Sequence, residues 1–176
     1  MYRVLPSLLL SLVTGGNAAP ASQVIASGSG VGPVRIGMSA QSVPRAVRVI
    51  SDRMEPDAEG GKQRVIRFSI SGAKAEAEIQ DGKVWRIQIL TPGIAIDPGI
   101  EVGSPLKMLL GLPSLEGELA EGALFVWSKS LCGRSFRLSY EPNTDSDYLG
   151  AWNETSLKSL PAGVKVQAIL VVGCTK

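Results

Sequence analysis

The chain has 176 residues, and its 18 lysines and arginines against 16 aspartates and glutamates give a formal net charge of +2. This near-neutral balance provides no basic surplus for contacts to a nucleic-acid backbone, so we expect no nucleic-acid partner. A hydrophobic share of 44% with 19% charged residues is typical of a folded globular chain. The absence of histidine excludes Ser-His-Asp and Cys-His nucleophile arrangements, histidine zinc sites and an imidazole base among these residues.

Residues 1–21 have the pattern of a cleaved export signal. Arg3 supplies the positive start, a short apolar run follows, and small residues lead to Ala19-Pro20-Ala21, with cleavage after Ala18 as the alternative. The apolar run is too short to span a bilayer, and no later segment is long and apolar enough for a transmembrane helix. We therefore expect a periplasmic or secreted protein.

Two cysteines, Cys132 and Cys174, lie in the part of the chain that would be exported. Pairing is the expected state outside the cytoplasm, and their spacing is not that of a redox-active Cys-x-x-Cys pair. We predict a structural disulfide that ties the last strand to an earlier one.

The first half of the exported chain predicts a strand, a helix and three further strands. Residues 22–31 are small and polar, which predicts a flexible lead-in. A short strand ends at Gly37, and a helix follows, capped by Ser42 or Ser39 and with Ile50 on its apolar face. Residues 52–62 are polar and glycine-rich, which predicts a loop.

Residues 64–70, 73–80 and 83–90 alternate as strands do. The alanines of 73–80 would share one face of a strand, whereas a helix would scatter them around its circumference. A two-residue turn before Lys83 would mix charged and apolar faces, so we predict a bulged three-residue loop at 80–82. This register pairs Ala77 with Trp85 and Glu76 with Arg86.

The second half repeats this plan. Gly103 follows Gly37 by 66 positions, Ser104 can cap a short helix that ends at Gly111, and strand patterns cover 123–127, 135–140 and 164–172. The chain is thus predicted to have an α+β fold, with an antiparallel sheet and two short helices on one face. The predicted organisation is a tandem repeat of strand-helix-three strands, with units at 32–95 and 96–176.

Gly37-Met38-Ser39 followed by Val43 resembles the helix-opening motif of the small outer-membrane assembly lipoproteins of the SmpA/OmlA type. The doubled plan resembles the secreted β-lactamase inhibitor protein, which has two helix-plus-sheet units. The chain departs from the first family in lacking a lipidated cysteine, and Gly103-Ser104-Pro105 departs from the motif in the second unit. The resemblance implies a binding scaffold without catalysis.

Residues 143–154 have the ligand spacing of a calcium loop. Their candidate metal ligands are Asn143, Asp145, Asp147 and Glu154. Tyr148 stands where the sharp turn of such a loop needs glycine, and a solvated turn stabilised by Asn and Asp is the competing interpretation.

The same loop offers candidate contacts to a partner. These are Tyr148, Trp152, Asp145 and Asp147, to which we add Arg137. Trp85 and Trp127 lie in strand patterns and are expected in the core. Five arginines would either line an exposed sheet face or pair with carboxylates such as Glu76 and Glu78; they are Arg64, Arg67, Arg86, Arg134 and Arg137.

No catalytic constellation or cofactor motif is apparent, and Ser128 and Lys129 would point to opposite faces of a strand. We expect a non-catalytic protein-binding module of the bacterial envelope that acts through its exposed sheet face and the 143–153 loop. It could be an inhibitor or immunity protein of a secreted hydrolase, or a scaffold. The alternatives are a histidine-free envelope hydrolase and a calcium-binding structural protein.

Overall fold

A computed structural model of the chain describes residues 24–57, 60–142 and 152–174. The first half contains β1 (Val24–Ser27), β2 (Gly30–Val31), β3 (Val34–Arg35), α1 (Val43–Ala46), β4 (Arg48–Pro56), β5 (Lys62–Ile70), β6 (Ala73–Gln80) and β7 (Lys83–Ile89). The second contains β8 (Ile94–Ile96), α2 (Leu106–Leu109), β9 (Leu115–Ala120), β10 (Ala123–Ser128), β11 (Arg134–Leu138), β12 (Trp152–Asn153), α3 (Glu154–Lys158) and β13 (Val166–Val171). The fold is mostly antiparallel sheet with a few short helices, which confirms the predicted class.

The described strands form two sheets. The large sheet has the order β12-β9-β10-β11-β13-β7-β6-β5-β4, and the small sheet has the order β3-β2-β1-β8. Within the large sheet, β4 to β7 form one antiparallel run and β9, β10, β11 and β13 form another. The two runs meet where β13 pairs with β7, so both halves of the chain share one sheet.

The helices are shorter than predicted. The first α-helix covers only Val43–Ala46, because Val47 is already extended and the chain enters β4 directly. Ile50 therefore lies in a strand and not on a helix face. Residues 52–56, which were expected to form a loop, are instead the second part of β4. Their backbone pairs with that of β5.

The predicted flexible lead-in is also wrong for the residues described. β1 and β2 pair with each other, and β1 lies parallel to β8. Ala26 and Val31 are buried in the core, so burial of apolar side chains fixes a segment whose composition is that of a linker.

The core lies between the small sheet with its short helices and one face of the large sheet, here called the inner face. Ala73, Ala75 and Ala77 all lie on the inner face and are buried, which confirms β6 as a strand with its alanines on one side. Phe68 and Phe136 are the largest fully buried side chains among the described residues.

The hairpin between β6 and β7 differs from the predicted register. Gln80 pairs with Lys83 across a two-residue turn, in which Asp81 and Gly82 both have positive φ. Glu78 then pairs with Arg86, and Trp85 is an extra residue in β7. A two-residue turn with a regular β7 would mix charged and apolar side chains on each face. The bulge removes this conflict, because Val84 and Ile87 are then both buried in the core.

The two cysteines form a disulfide with their Cα atoms 5.4 Å apart, as predicted. Cys132 precedes β11 and Cys174 follows β13, so the bond joins the ends of two neighbouring strands. A side chain at Gly28 would meet the Cys132 carbonyl oxygen at 2.3 Å, so glycine is needed where the β1–β2 connection crosses the disulfide.

A groove on the outer face of the large sheet

The side chains opposite the core form the outer face of the large sheet. Strand pairing places one row of residues directly across it, from β10 to β5: Trp127, Ser135, Leu170, Gln88, Glu76 and Arg67. Phe125 and Arg137 form a neighbouring pair on β10 and β11. The aromatic side chains on this face are partly exposed, whereas the central part of the inner face is buried in the core.

A groove of about 1070 Å³ lies on this face over β4 to β7. Its lining contains five carboxylates against three basic side chains. The turn between β9 and β10 supplies one wall, since Glu121 Oε1 lies 3.6 Å from Arg86 Nη1. Two strands separate β10 from β7, so this contact shows that the sheet bends around the groove.

Ion pairs connect the strands beneath the groove. Arg67 binds Glu55 on β4 and Glu76 on β6. Arg64 forms two hydrogen bonds to Asp52, which is paired with Ile66 and so lies at the edge of the inner face. Hydrogen bonds from Arg64 lower the pKa of Asp52, and those from Arg67 and Arg53 lower the pKa of Glu55. These arginines are paired, so they offer little unsatisfied positive charge to an acidic partner.

Glu76 is perturbed in the opposite direction. Burial raises its pKa, and this effect outweighs the attraction of Arg67, while the charge of Glu78 raises the pKa further. The middle of the sheet therefore holds two neighbouring carboxylates in a partly desolvated place.

The bulge in β7 brings two consecutive residues to the lining of the groove. Trp85 and Arg86 both turn to the outer face, and the Arg86 guanidinium carbon lies 4.7 Å from the centre of the Trp85 ring. Arg86 Nε also donates to Glu78 Oε1 at 2.8 Å. Glu78 is only 5% exposed, yet its Oε2 has no hydrogen-bond partner within the described part of the chain, and neither has the indole Nε1 of Trp85.

Sequence reasoning did not find this cluster. It expected Trp85 and Trp127 in the core, but both are partly exposed on the outer face. The expected pairing of Glu76 with Arg86 is replaced by that of Glu78 with Arg86, and Glu76 pairs with Arg67 instead. The Asp81-Gly82 pair is a sequence signal for a two-residue turn. Such a turn, together with a bulge in β7, predicts the observed pairing of Glu78 with Arg86.

Of the predicted partner contacts, Tyr148, Asp145 and Asp147 lie outside the described residues. Arg137 lies on the outer face opposite Phe125, and its Nε is buried without a hydrogen-bond partner. Trp152 packs partly against the core, with its ring 5.7 Å from that of Tyr140 in an edge-on arrangement.

The predicted calcium loop falls mostly outside the described residues, which leave out Asn143, Asp145 and Asp147. Glu154 begins α3, is exposed and pairs with Lys158 at 2.6 Å. Within 24–57, 60–142 and 152–174, no group of three or more suitable side chains could hold a metal ion. None of the helices in these ranges is long and apolar enough to cross a membrane.

Comparison with known proteins gives a fold and no family. No protein-family model and no curated protein matches the chain. The crystal structure of the uncharacterized protein YfeY from Escherichia coli matches with a TM-score of 0.59 and 21% sequence identity, over 83% of this chain and 97% of that one. The two proteins share a fold. At this identity the similarity gives no information about activity. The resemblance to the assembly lipoproteins and to the β-lactamase inhibitor protein stays a prediction.

Proposed function

We propose that this protein is an exported, non-catalytic binding module of the bacterial envelope that holds a protein partner against the outer face of its large sheet. The observation that carries the proposal is the composition of that face. Trp85, Phe125 and Trp127 are partly exposed there among arginines and carboxylates, while the opposite face of the same sheet is closed by the core. Tryptophan and arginine are the residues most enriched in the energetic centres of protein interfaces.

The disulfide supports export, because such bonds form and persist in oxidising compartments. The export signal predicted at 1–21 lies outside the described residues and stays part of the proposal. The partner would be a secreted hydrolase, with this protein as its inhibitor or immunity protein, or an envelope component for which it is a scaffold. The contacts predicted in the 143–153 loop stay part of the proposal.

We also propose that the chain is a tandem repeat, with four sheet strands per unit where three were expected. Equivalent hydrogen bonds in the two halves support this. Gly37 N donates to Val84 O at 2.7 Å and Gly103 N to Val166 O at 2.8 Å. The return bonds, from Val84 N to Met38 O and from Val166 N to Ser104 O, have equally similar lengths of 2.8 and 2.9 Å.

Site-specific photo-crosslinking tests the binding function. A photoreactive amino acid replaces Gln88 in the middle of the outer face, and a matched variant carries it at Ile25, which is 65% exposed on the small sheet. Both full-length proteins are expressed and exported in bacterial cells, and the adducts are identified after irradiation. We expect one stoichiometric protein adduct from position 88 and none of that mass from position 25.

The same adducts from both positions, or none from position 88, would contradict the proposal. Release of product from a cell-wall or ester substrate by the purified protein, without any partner, would instead establish the histidine-free hydrolase.

A further inference from the structure

The carboxylate of Glu78 is only half satisfied. Its Oε1 accepts a hydrogen bond from Arg86, whereas no described residue donates to its Oε2, although the side chain is 95% buried and lines the groove. A buried carboxylate oxygen without a donor costs free energy relative to the same oxygen in water. A donor brought by another molecule would recover that free energy.

The indole N–H of Trp85, which belongs to the same groove lining, has no acceptor among the described residues. The groove therefore contains an unpaired acceptor and an unpaired donor on adjoining strands. A metal ion could satisfy only the carboxylate. A polypeptide with a basic side chain could satisfy both, since its ammonium or guanidinium group donates and its backbone carbonyl accepts.

The local charge favours the same ligand. Carboxylates outnumber basic groups in the described lining, although Arg67, which is not part of the lining, pairs with two of them, Glu55 and Glu76. The excess negative charge therefore lies at Glu78 and Glu121, which share the single guanidinium group of Arg86. The whole chain carries a formal charge of +2, so attraction of a cationic peptide must arise locally. Arg86 itself shows that a guanidinium group fits between the Trp85 ring and the Glu78 carboxylate.

We infer that this groove binds a lysine or arginine side chain on an extended segment of the partner protein, with Glu78 as its main acceptor and Glu121 at the rim. The inference rests on the proposed function, because it names the chemistry of the partner at the outer face. The unpaired atoms of Glu78 and Trp85 are closed to solvent, so the incoming group displaces Arg86 toward Glu121.

Peptide binding tests the inference. The probe is a fluorescein-labelled peptide Gly-Gly-Lys-Gly-Arg-Gly-Gly, and the comparison peptide has glutamate at both charged positions. We expect saturable binding of the basic peptide alone at low salt, and Glu78→Gln to weaken it about tenfold through loss of a charge-assisted contact. Glu121→Gln, at an exposed turn that cannot disturb folding, should weaken it by a smaller factor.

Glu154→Gln is the matched control, because Glu154 begins α3 on the core side of the sheet, is absent from the groove lining and pairs with Lys158. It should leave the affinity unchanged. In ¹⁵N spectra the indole N–H signal of Trp85, assigned with Trp85→Phe, should shift with the basic peptide and not with the acidic one. Equal binding of both peptides, equal affinity in Glu78→Gln and Glu154→Gln, or an unmoved Trp85 signal would overturn the inference.

The crosslinking experiment distinguishes failure of the cationic contact from failure of the proposed binding function. If a partner is captured at position 88 and the yield of its adduct is unchanged by Glu78→Gln and Glu121→Gln, the binding face is supported and the cationic contact is rejected. Absence of any partner at position 88 would reject the binding face itself.

Discussion

At the scale of single residues, the ionisation of two carboxyl groups of the large sheet affects stability in opposite directions. Asp52 has a lowered pKa, so its ionised form stabilises the fold above its ordinary pKa, and this contribution disappears as the pH falls through the folded value. Glu76 has a raised pKa, so its ionisation opposes folding as the pH rises beyond its ordinary value.

Asp52→Asn tests the first effect. Because the Arg64–Asp52 pair is partly exposed, we expect the variant to lose only about 0.5–1 kcal/mol of unfolding free energy at pH 7. The difference from the parent protein should be smaller at pH 2, because protonation of Asp52 weakens its pairing with Arg64 as the pH falls. Urea unfolding at pH 7 and pH 2 measures this difference. If Asp52→Asn has the same loss of unfolding free energy at both pH values, the stabilisation does not depend on the charge of Asp52.

The alanines of β6 are a second residue-scale feature. Ala77 is fully buried at the centre of the inner face, opposite Ile66 and Ile87. Ala77→Leu would overfill this place and is expected to cost about 1–3 kcal/mol.

Lys74→Leu provides the matched control, because it puts the same side chain on the exposed side of β6. It should change the unfolding free energy by less than about 0.5 kcal/mol. Similar losses in the two variants would show that residue 77 is not tightly packed.

At the scale of elements, the β6–β7 turn fixes the bulge and thereby the groove. Gly82 has φ of +73° with nothing within 4 Å of an added Cβ, so only its backbone conformation resists a side chain. We expect Gly82→Ala to cost about 1 kcal/mol in unfolding experiments, the ordinary penalty for a left-handed residue.

Gly163→Ala is the control, since that position also has open space around it but no positive φ. It should be neutral or slightly stabilising. A neutral Gly82→Ala would mean that the turn can adopt another form, and the register of β7 would then need re-examination.

β4 shows why some elements escape sequence reasoning. Asp52, Arg53 and Glu55 give it the composition of a loop, because β4 is the edge strand of the large sheet and its side chains meet water or ion-pair partners. Its strand conformation comes from backbone pairing with β5, which the pattern of its own side chains does not reveal.

At the scale of the whole molecule, the disulfide closes a sequence separation of 42 residues. Such a loop corresponds to about 4 kcal/mol of chain entropy in the unfolded state. We expect reduction to lower the melting temperature by about 10 °C.

A Cys132→Ser/Cys174→Ser variant should melt at the lower temperature and no longer respond to reductant. If the parent protein melts at the same temperature with and without reductant, the bond adds nothing to the stability of the sheet.

The alternation of residues 73–80, the two glycines before the short helices and the pairing of two cysteines could all be derived from the sequence. Each depends on local geometry or on the chemistry of one residue type, which neighbouring residues suffice to determine. The four-strand runs, the lead-in that became a strand and the cluster of Glu78, Trp85 and Arg86 were decided by tertiary structure. Two features determine which side chains share the outer face: backbone pairing between distant segments, and a single extra residue in β7. Neither produces a periodic pattern in the amino-acid sequence.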